Sequence, residues 1–178
     1  TFNYTDTTRH EPTNLALQTN GKIVVTFTDN YEKNNLLVRL NTNGEVDPSF
    51  MVENRQGVLN FISLHAIAIQ ANGKIIIGGS VASGIDSINA YCKRINTDGS
   101  TDLTFNPGTK GTVINAISIQ SNGKIILSGF YKNNAIQKPY SINTLERINA
   151  DGSNDQTLNS YSATEGVGFN NHTTSIQS

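Results

Sequence analysis

Three copies of a two-part repeat fill most of the sequence, and this repetition constrains the fold more than any other feature. The first part reads ALQTNGKIVV, AIQANGKIII and SIQSNGKIIL, and the second part reads RLNTNGEVDPSF, RINTDGSTDLTF and RINADGSNDQTL. The turn glycines of the two parts are Gly21, Gly73 and Gly123, then Gly44, Gly99 and Gly152. Successive copies lie 50 to 55 residues apart, so each repeat consists of two fixed segments joined by a variable link.

Each part of the repeat predicts a β-hairpin. An Asn-Gly or Asp-Gly dipeptide stands between two strand-like runs, and such dipeptides supply the positive φ angles of a type I′ turn. In the second repeat we expect strands near residues 64–70, 74–81, 89–96 and 100–105. The apolar run Ile75–Ile77 lacks polar alternation, so this sheet is expected to be covered on both faces. Two hairpins give four antiparallel strands in each repeat.

Four antiparallel strands repeated about every 40 to 50 residues indicate a β-propeller. The sequence therefore predicts an all-β fold of three four-stranded blades, with partial repeats at both ends. The blades are expected at approximately 11–50, 61–105 and 113–158, between the end of a preceding blade at 1–10 and the start of a following one at 172–178. Because three blades cannot close a ring, we expect a larger propeller, completed by further blades of the same polypeptide or by a partner subunit.

The repeats also match a known pattern. The pattern is an Ala-Ile-x-x-Gln-x-Asn-Gly-Lys-Ile segment, then glycines such as Gly78, Gly79 and Gly129, and Arg-Ile-Asn-x-Asp-Gly-Ser-x-Asp before a Phe. The second repeat fits it in full, and Leu158 replaces the Phe in the third. In these residues the chain resembles the delta-60 repeat β-propellers of bacterial secreted or surface proteins. The first repeat departs from the pattern, since Thr26 and Phe27 replace the glycines, and its packing is expected to be filled differently. The resemblance implies a propeller in an extracellular or cell-surface setting and brings no catalytic residues.

The charge balance argues against two classes of partner. Thirteen Lys and Arg residues stand against 14 Asp and Glu residues, which gives a net charge of −1. A nucleic-acid binder is expected to have a basic excess, and no apolar run approaches the roughly 18 residues of a membrane span. We therefore expect neither nucleic-acid binding nor membrane insertion.

An arginine and an aspartate recur eight residues apart in every repeat: Arg39 and Asp47, Arg94 and Asp102, Arg147 and Asp155. Such charged residues could belong to a catalytic set. Their recurrence in every copy instead favours a structural role, because a hairpin places each pair nearly opposite across the strands. We expect an ion pair that fixes the strand register.

The segment NTDGSTD at 96–102 raises the alternative of a calcium loop. An EF-hand-like loop needs oxygen ligands at alternate positions and a late bidentate Glu, whereas Arg94 stands at the first ligand position. A hairpin turn with side chain to backbone hydrogen bonds explains all three copies and is favoured.

No arrangement of residues in the sequence predicts a catalytic, metal or cofactor site. His65 and His172 align between repeats, with Thr13 and Asn115 at the same position in the other copies. Metal binding requires convergent ligands, so we expect these four residues to line one mouth of the central channel. Cys92 aligns with leucines and is expected to be a small buried hydrophobe.

The link between the two parts of the repeat grows from copy to copy, with 18, 21 and 24 residues from turn glycine to arginine. Binding residues are often found in such loops. The candidates are Tyr131, Lys132, Lys138 and Tyr140 in a predicted loop over 131–143, and Asp86 in the second link. Solvated hairpin tips without a function are the alternative.

Three functions remain open. The preferred one is a non-enzymatic secreted or cell-surface module for attachment or for protein or glycan binding, for example within a large adhesin or a secretion-system cargo. The second is a structural component of a phage or filament appendage. The third is a propeller enzyme with its site at the channel mouth, which is disfavoured because no acid, base or nucleophile constellation is recognisable.

Overall fold

The computed structural model describes residues 10–29, 35–52, 61–82, 88–108, 113–133, 140–157 and 161–163. These ranges contain ten β-strands and no helix, and so no helix long and apolar enough to cross a membrane. The strands are β1 (His10–Leu17), β2 (Ile23–Asp29), β3 (Asn35–Leu40), β4 (Phe61–Ile69), β5 (Ile75–Ala82), β6 (Ile88–Ile95), β7 (Val113–Ile119), β8 (Ile125–Asn133), β9 (Tyr140–Ile148) and β10 (Tyr161–Ala163).

Each repeat forms one antiparallel sheet whose strand order follows the chain. Sheet 1 has the order β1-β2-β3, sheet 2 has β4-β5-β6, and sheet 3 has β7-β8-β9 with β10 added at the outer edge of β9. The prediction of an all-β fold built from antiparallel repeats is confirmed for the described residues.

The predicted fourth strand at 100–105 is wrong. The chain there makes one isolated bridge, between Ile95 and Thr101, and then turns. Asp102 Oδ1 accepts hydrogen bonds from the backbone N–H and the hydroxyl of Thr104, at 3.0 and 2.6 Å, and such local bonding competes with a strand ladder. Equivalent single bridges join Leu40 to Val46 and Ile148 to Asn154. The four-stranded sheet 3 gains its last strand from β10, beyond the predicted end of that blade at 158.

The hairpin turns differ from the predicted type I′ geometry. Gly21 N donates to Gln18 O at 2.9 Å, so Thr19 and Asn20 are the central pair, and Gln18 N donates to Lys22 O at 2.8 Å. This is the three-residue hairpin loop, in which a left-handed glycine follows the turn. All six turn glycines have φ between 81 and 96°, so glycine is needed after the turn and not at its centre.

The sheets pack face to face, and the isoleucine run of β5 shows how. Ile76 points toward sheet 3, in a cluster with Ile114, whereas Ile75 and Ile77 point toward sheet 1, in a cluster with Val24. All three isoleucines are fully buried because sheet 2 is covered on both faces. The first strands are neighbours, with β1 beside β4 and β4 beside β7.

The first repeat fills its interior differently, as its sequence indicates. Phe27 stands at the position of Gly79 and is buried, with 2% of its surface exposed. Thr26 is fully buried, and its hydroxyl donates to the carbonyl of Asn14 at 3.3 Å. A large side chain and a bonded hydroxyl thus replace the paired glycines of the second repeat.

Candidate functional site

Three charged residues of the second repeat form one cluster around a buried carboxylate. Asp102 Oδ2 accepts from Arg94 Nε at 2.7 Å and from Lys74 Nζ at 2.6 Å, while Oδ1 is bonded to Thr104. The Lys74 ammonium, then the Thr104 hydroxyl and less strongly Arg94 hold the pKa of Asp102 well below its usual range. The carboxylate is therefore ionised at neutral pH, and both of its oxygens are already bonded.

The same cluster recurs in the other two repeats. Asp47 pairs with Lys22 and Arg39, and Asp155 pairs with Lys124 and Arg147. Their pKa values are lowered by the same causes, with the lysine hydrogen bond the largest. Because each carboxylate is saturated by its own repeat, these residues have the geometry of structural ion pairs and offer no free oxygen to a substrate.

Each arginine of the first two repeats also reaches the next repeat. Arg39 Nη1 donates to the carbonyl of Thr97 at 2.6 Å, and Arg94 Nη1 donates to the carbonyl of Ala150 at 2.7 Å. The guanidinium carbon of Arg94 lies 4.6 Å from the ring centroid of Phe105, a cation–π contact. One side chain therefore joins the carboxylate of its own repeat to a turn of the following one.

A β-bulge interrupts the first strand of every repeat at the same position. The pairing of β1 with β2 skips Thr13, that of β4 with β5 skips His65, and that of β7 with β8 skips Asn115. All three side chains are exposed. Because β4 lies beside both β1 and β7 and the bulge is at the same repeat position in each strand, we infer that the three bulged residues lie in a line of exposed polar groups, which we call the bulge row. His172, the fourth residue of the predicted channel mouth, lies outside the described residues.

The bulge row presents uncharged hydrogen-bonding groups. His65 Nε2 lies 2.7 Å from Ser63 Oγ, which lies 2.9 Å from Ser80 Oγ, and the Thr13 hydroxyl lies 2.9 Å from that of Thr26. Partial burial lowers the pKa of His65 below its usual value, so the imidazole is neutral at pH 7. Such residues can both donate and accept hydrogen bonds.

Bulges are common beside binding and active sites, because they re-aim a side chain. The row is therefore the strongest candidate site in the part of the chain that the structure describes. The sequence alignment grouped Thr13, His65 and Asn115, but the bulge itself depends on strand pairing and was not predicted. In the same part of the chain, no three His, Cys, Asp or Glu side chains converge as a metal site.

The predicted binding loop over 131–143 is shorter than expected. Tyr131 and Lys132 lie within β8, and Tyr140 begins β9, because the two strands stay paired out to Asn133 opposite Tyr140. These three residues are thus strand residues, and their assignment to a loop is wrong. Lys138 and Asp86 lie outside the described residues.

Cys92 is buried, with 6% of its surface exposed. Burial raises the pKa of its thiol to about 12, so it is protonated at neutral pH and is not a nucleophile.

Comparison with known families identifies two of the three repeats. Residues 18–50 and 70–105 match the family described as "Domain of unknown function (DUF5122) beta-propeller". Each matched segment begins at the glutamine before a first turn, Gln18 or Gln70, and ends at the phenylalanine after a second turn, Phe50 or Phe105. No curated protein matches the chain. By its two-part repeats, its stacked antiparallel sheets and this match, the chain is similar to a β-propeller repeat family.

Proposed function

We propose that the chain is a non-enzymatic β-propeller module that binds protein or glycan partners at the bulge row. The bulge row is the observation that supports this proposal. The ion-pair clusters and turn glycines recur unchanged in all three repeats, whereas the bulge position holds Thr13, His65 and Asn115 in turn. Repeat proteins build binding surfaces in this way, with a fixed frame that presents different exposed side chains.

The hydrogen-bonding groups of the bulge row indicate which kinds of ligand it can bind. A hydroxyl, a neutral imidazole and a carboxamide offer both donors and acceptors and no formal charge. Sugar hydroxyls and peptide groups match such a surface, whereas phosphate backbones do not. The net charge of −1 also disfavours nucleic acids as partners.

The setting of the module rests on the sequence resemblance. We assign the chain to the delta-60 repeat propellers and place it in a secreted or cell-surface protein of bacteria. An adhesin or a secretion-system cargo would use such a module for attachment. We propose no catalytic residue, metal or cofactor, and no membrane insertion.

The proposal is tested by binding of the fluorescently labelled chain to a glycan array and to a panel of immobilised extracellular-matrix proteins. Combined Thr13→Ala, His65→Ala and Asn115→Ala substitutions should weaken binding to any positive spot by about tenfold or more. The matched control combines Thr19→Ala and Ser121→Ala, which change exposed residues at the hairpin tips. Equal binding by the bulge-row variant and the wild type would contradict the proposed site.

An enzyme at the channel mouth is the second candidate, since the Ser63–His65 contact resembles a nucleophile and its base. That chemistry also requires a group that orients the histidine and a site for the oxyanion. Labelling with a fluorophosphonate probe separates the two functions: modification that is lost in Ser63→Ala would favour an enzyme, and unmodified protein would favour the binding module. A structural role in an appendage is the third candidate and depends on how the outer sheets are covered.

A further inference from the structure

The outer face of sheet 1 is apolar and exposed. Leu15 and Leu17 on β1 have 70% and 68% of their surface exposed. Their counterparts in the second repeat, Ile67 and Ile69, instead pack into the cluster between sheets 1 and 2. Sheet 1 therefore presents the same kind of face that sheet 2 uses against its preceding repeat.

The outer face of sheet 3 presents the complementary features. Leu145 is 39% exposed, whereas Cys92, its counterpart in the second repeat, is buried against sheet 3. Arg147 forms an ion pair with Asp155 and donates a hydrogen bond from Nη2 to the Thr157 hydroxyl. The described residues include no following turn whose carbonyl could accept from its Nη1. Sheet 3 thus presents, in Arg147 and Leu145, the same kinds of side chain that sheet 2 uses in its contact with the following repeat.

The acceptor missing from sheet 3 is present on sheet 1. The carbonyls that accept from Arg39 and Arg94 belong to Thr97 and Ala150, which occupy one position of the repeat. The same position in the first repeat is Thr42. Since the turn of each later repeat faces its predecessor, the Thr42 turn lies on the outer side of sheet 1.

We propose that a second copy of this chain docks on these faces, with sheet 3 of one copy against sheet 1 of the other and Arg147 Nη1 donating to the carbonyl of Thr42. Both halves of the contact belong to this chain, and Arg147 and Thr42 occupy the repeat positions of the donors and acceptors at its two internal junctions. Two copies contain six of the described sheets, within the about 4 to 8 blades of propellers. Two copies can then form two equal junctions and a closed ring. This inference is independent of ligand binding at the bulge row.

The full chain is examined by light scattering after size exclusion, at concentrations from micromolar to about 100 µM, where a stable dimer is expected to be populated. The expected mass is twice 19.3 kDa. Combined Leu15→Lys and Leu17→Lys should shift the protein to monomers without loss of its cooperative melt, since both leucines are exposed in the single chain. Leu103→Lys, at a side chain 89% exposed on the middle repeat, should leave the dimer intact.

A folded monomer throughout this range would overturn the proposal. If larger species form, their dissociation by the Leu15→Lys and Leu17→Lys pair supports the head-to-tail contact, and their persistence contradicts it.

A cross-link tests the predicted contact between atoms. Chains with Thr42→Cys and chains with Arg147→Cys are mixed and treated with a short bismaleimide, because an arginine that reaches a backbone carbonyl leaves the two Cα atoms beyond the roughly 7 Å limit of a disulfide. A covalent heterodimer is expected, and the native Cys92 is buried and does not compete. Pairing Ala71→Cys, at an exposed hairpin tip, with Arg147→Cys is the control and should give no link. Equal yields in the two mixtures would contradict the assigned register.

Discussion

The guanidinium of Arg94 donates from Nη1 to the carbonyl of Ala150 across 2.7 Å, although the two residues belong to different repeats. The same guanidinium donates from Nε to Asp102 within its own repeat. Planar fork geometry allows one arginine to serve two acceptors at once. The contact that fixes the register inside a sheet is therefore also a contact that holds two sheets together.

Replacing Arg94 should destabilise the chain. Arg94→Ala should lower the free energy of unfolding by about 1 to 3 kcal/mol, because it removes the charged donor to the Ala150 carbonyl and the packing against Phe105. The Ala150 carbonyl keeps only its longer hydrogen bond from Gln70 Nε2, at 3.4 Å. Lys74 still pairs with Asp102, which limits the loss. Arg94→Lys should be intermediate, since one ammonium cannot also reach Ala150. Urea denaturation measures the difference, and a wild-type midpoint for Arg94→Ala would refute the role.

Alanine substitutions at two turn glycines distinguish the cost of backbone strain from the cost of a clash between repeats. Gly123 has φ 81° and open surroundings, with the nearest atom 3.5 Å from an added Cβ. Gly123→Ala should cost about 1 to 2 kcal/mol from the left-handed backbone alone. Gly99 has φ 96°, and its Cβ would lie 2.6 Å from the backbone of Met51 in the preceding repeat. Gly99→Ala should therefore lower the stability measured by thermal denaturation clearly more than Gly123→Ala does. Equal losses of stability in the two variants would contradict an inter-repeat contact at Gly99.

Acid should destabilise the chain through the three aspartates that are buried in its described part. The pKa values of Asp47, Asp102 and Asp155 are lowered in the folded state, while in the unfolded chain they are near 3.9. Their stabilisation is fully present above about pH 5 and is lost as the pH falls toward the folded values, because the unfolded chain binds more protons. Urea midpoints at a series of pH values from 7 to 3 should fall accordingly. Asp102→Asn should reduce this pH-dependent decline by less than about a third, since two equivalent aspartates remain and hydrogen bonds to Ser100 and Ser153 also lower the pKa values of Asp98 and Asp151.

The thiol of Cys92 should be inert in the folded chain. Its burial and its pKa of about 12 leave almost no thiolate at pH 8. Reaction with Ellman's reagent should be about a hundredfold slower than in concentrated guanidinium chloride, where the chain is unfolded. Rapid reaction under native conditions would show that β6 opens readily or that the thiol is accessible.

Local sequence signals predicted the first three strands of a repeat well. In the second repeat, the expected 64–70, 74–81 and 89–96 correspond to Phe61–Ile69, Ile75–Ala82 and Ile88–Ile95. Apolar runs and a turn glycine are sufficient there, because strand pairing follows directly from the hairpin.

The remaining differences come from side chain to backbone bonding and from contacts between repeats. The fourth strand fails because Asp102 bonds the backbone of Thr104, an interaction that β-propensity does not include. The bulge at His65 depends on how β4 and β5 are aligned, and the Arg94–Ala150 contact depends on stacking of sheets 2 and 3. Neither can be derived from one hairpin in isolation.

The arginine-to-carbonyl contact between repeats has an evolutionary consequence. The two junctions between described repeats use the same arginine donor and the same carbonyl position, so one junction could replace the other. Unequal crossing over within the gene can then add or delete a whole unit without disturbing the neighbours. Positions that differ between units, such as Thr13, His65 and Asn115, can then vary while the turn glycines, the arginines and the aspartates stay the same.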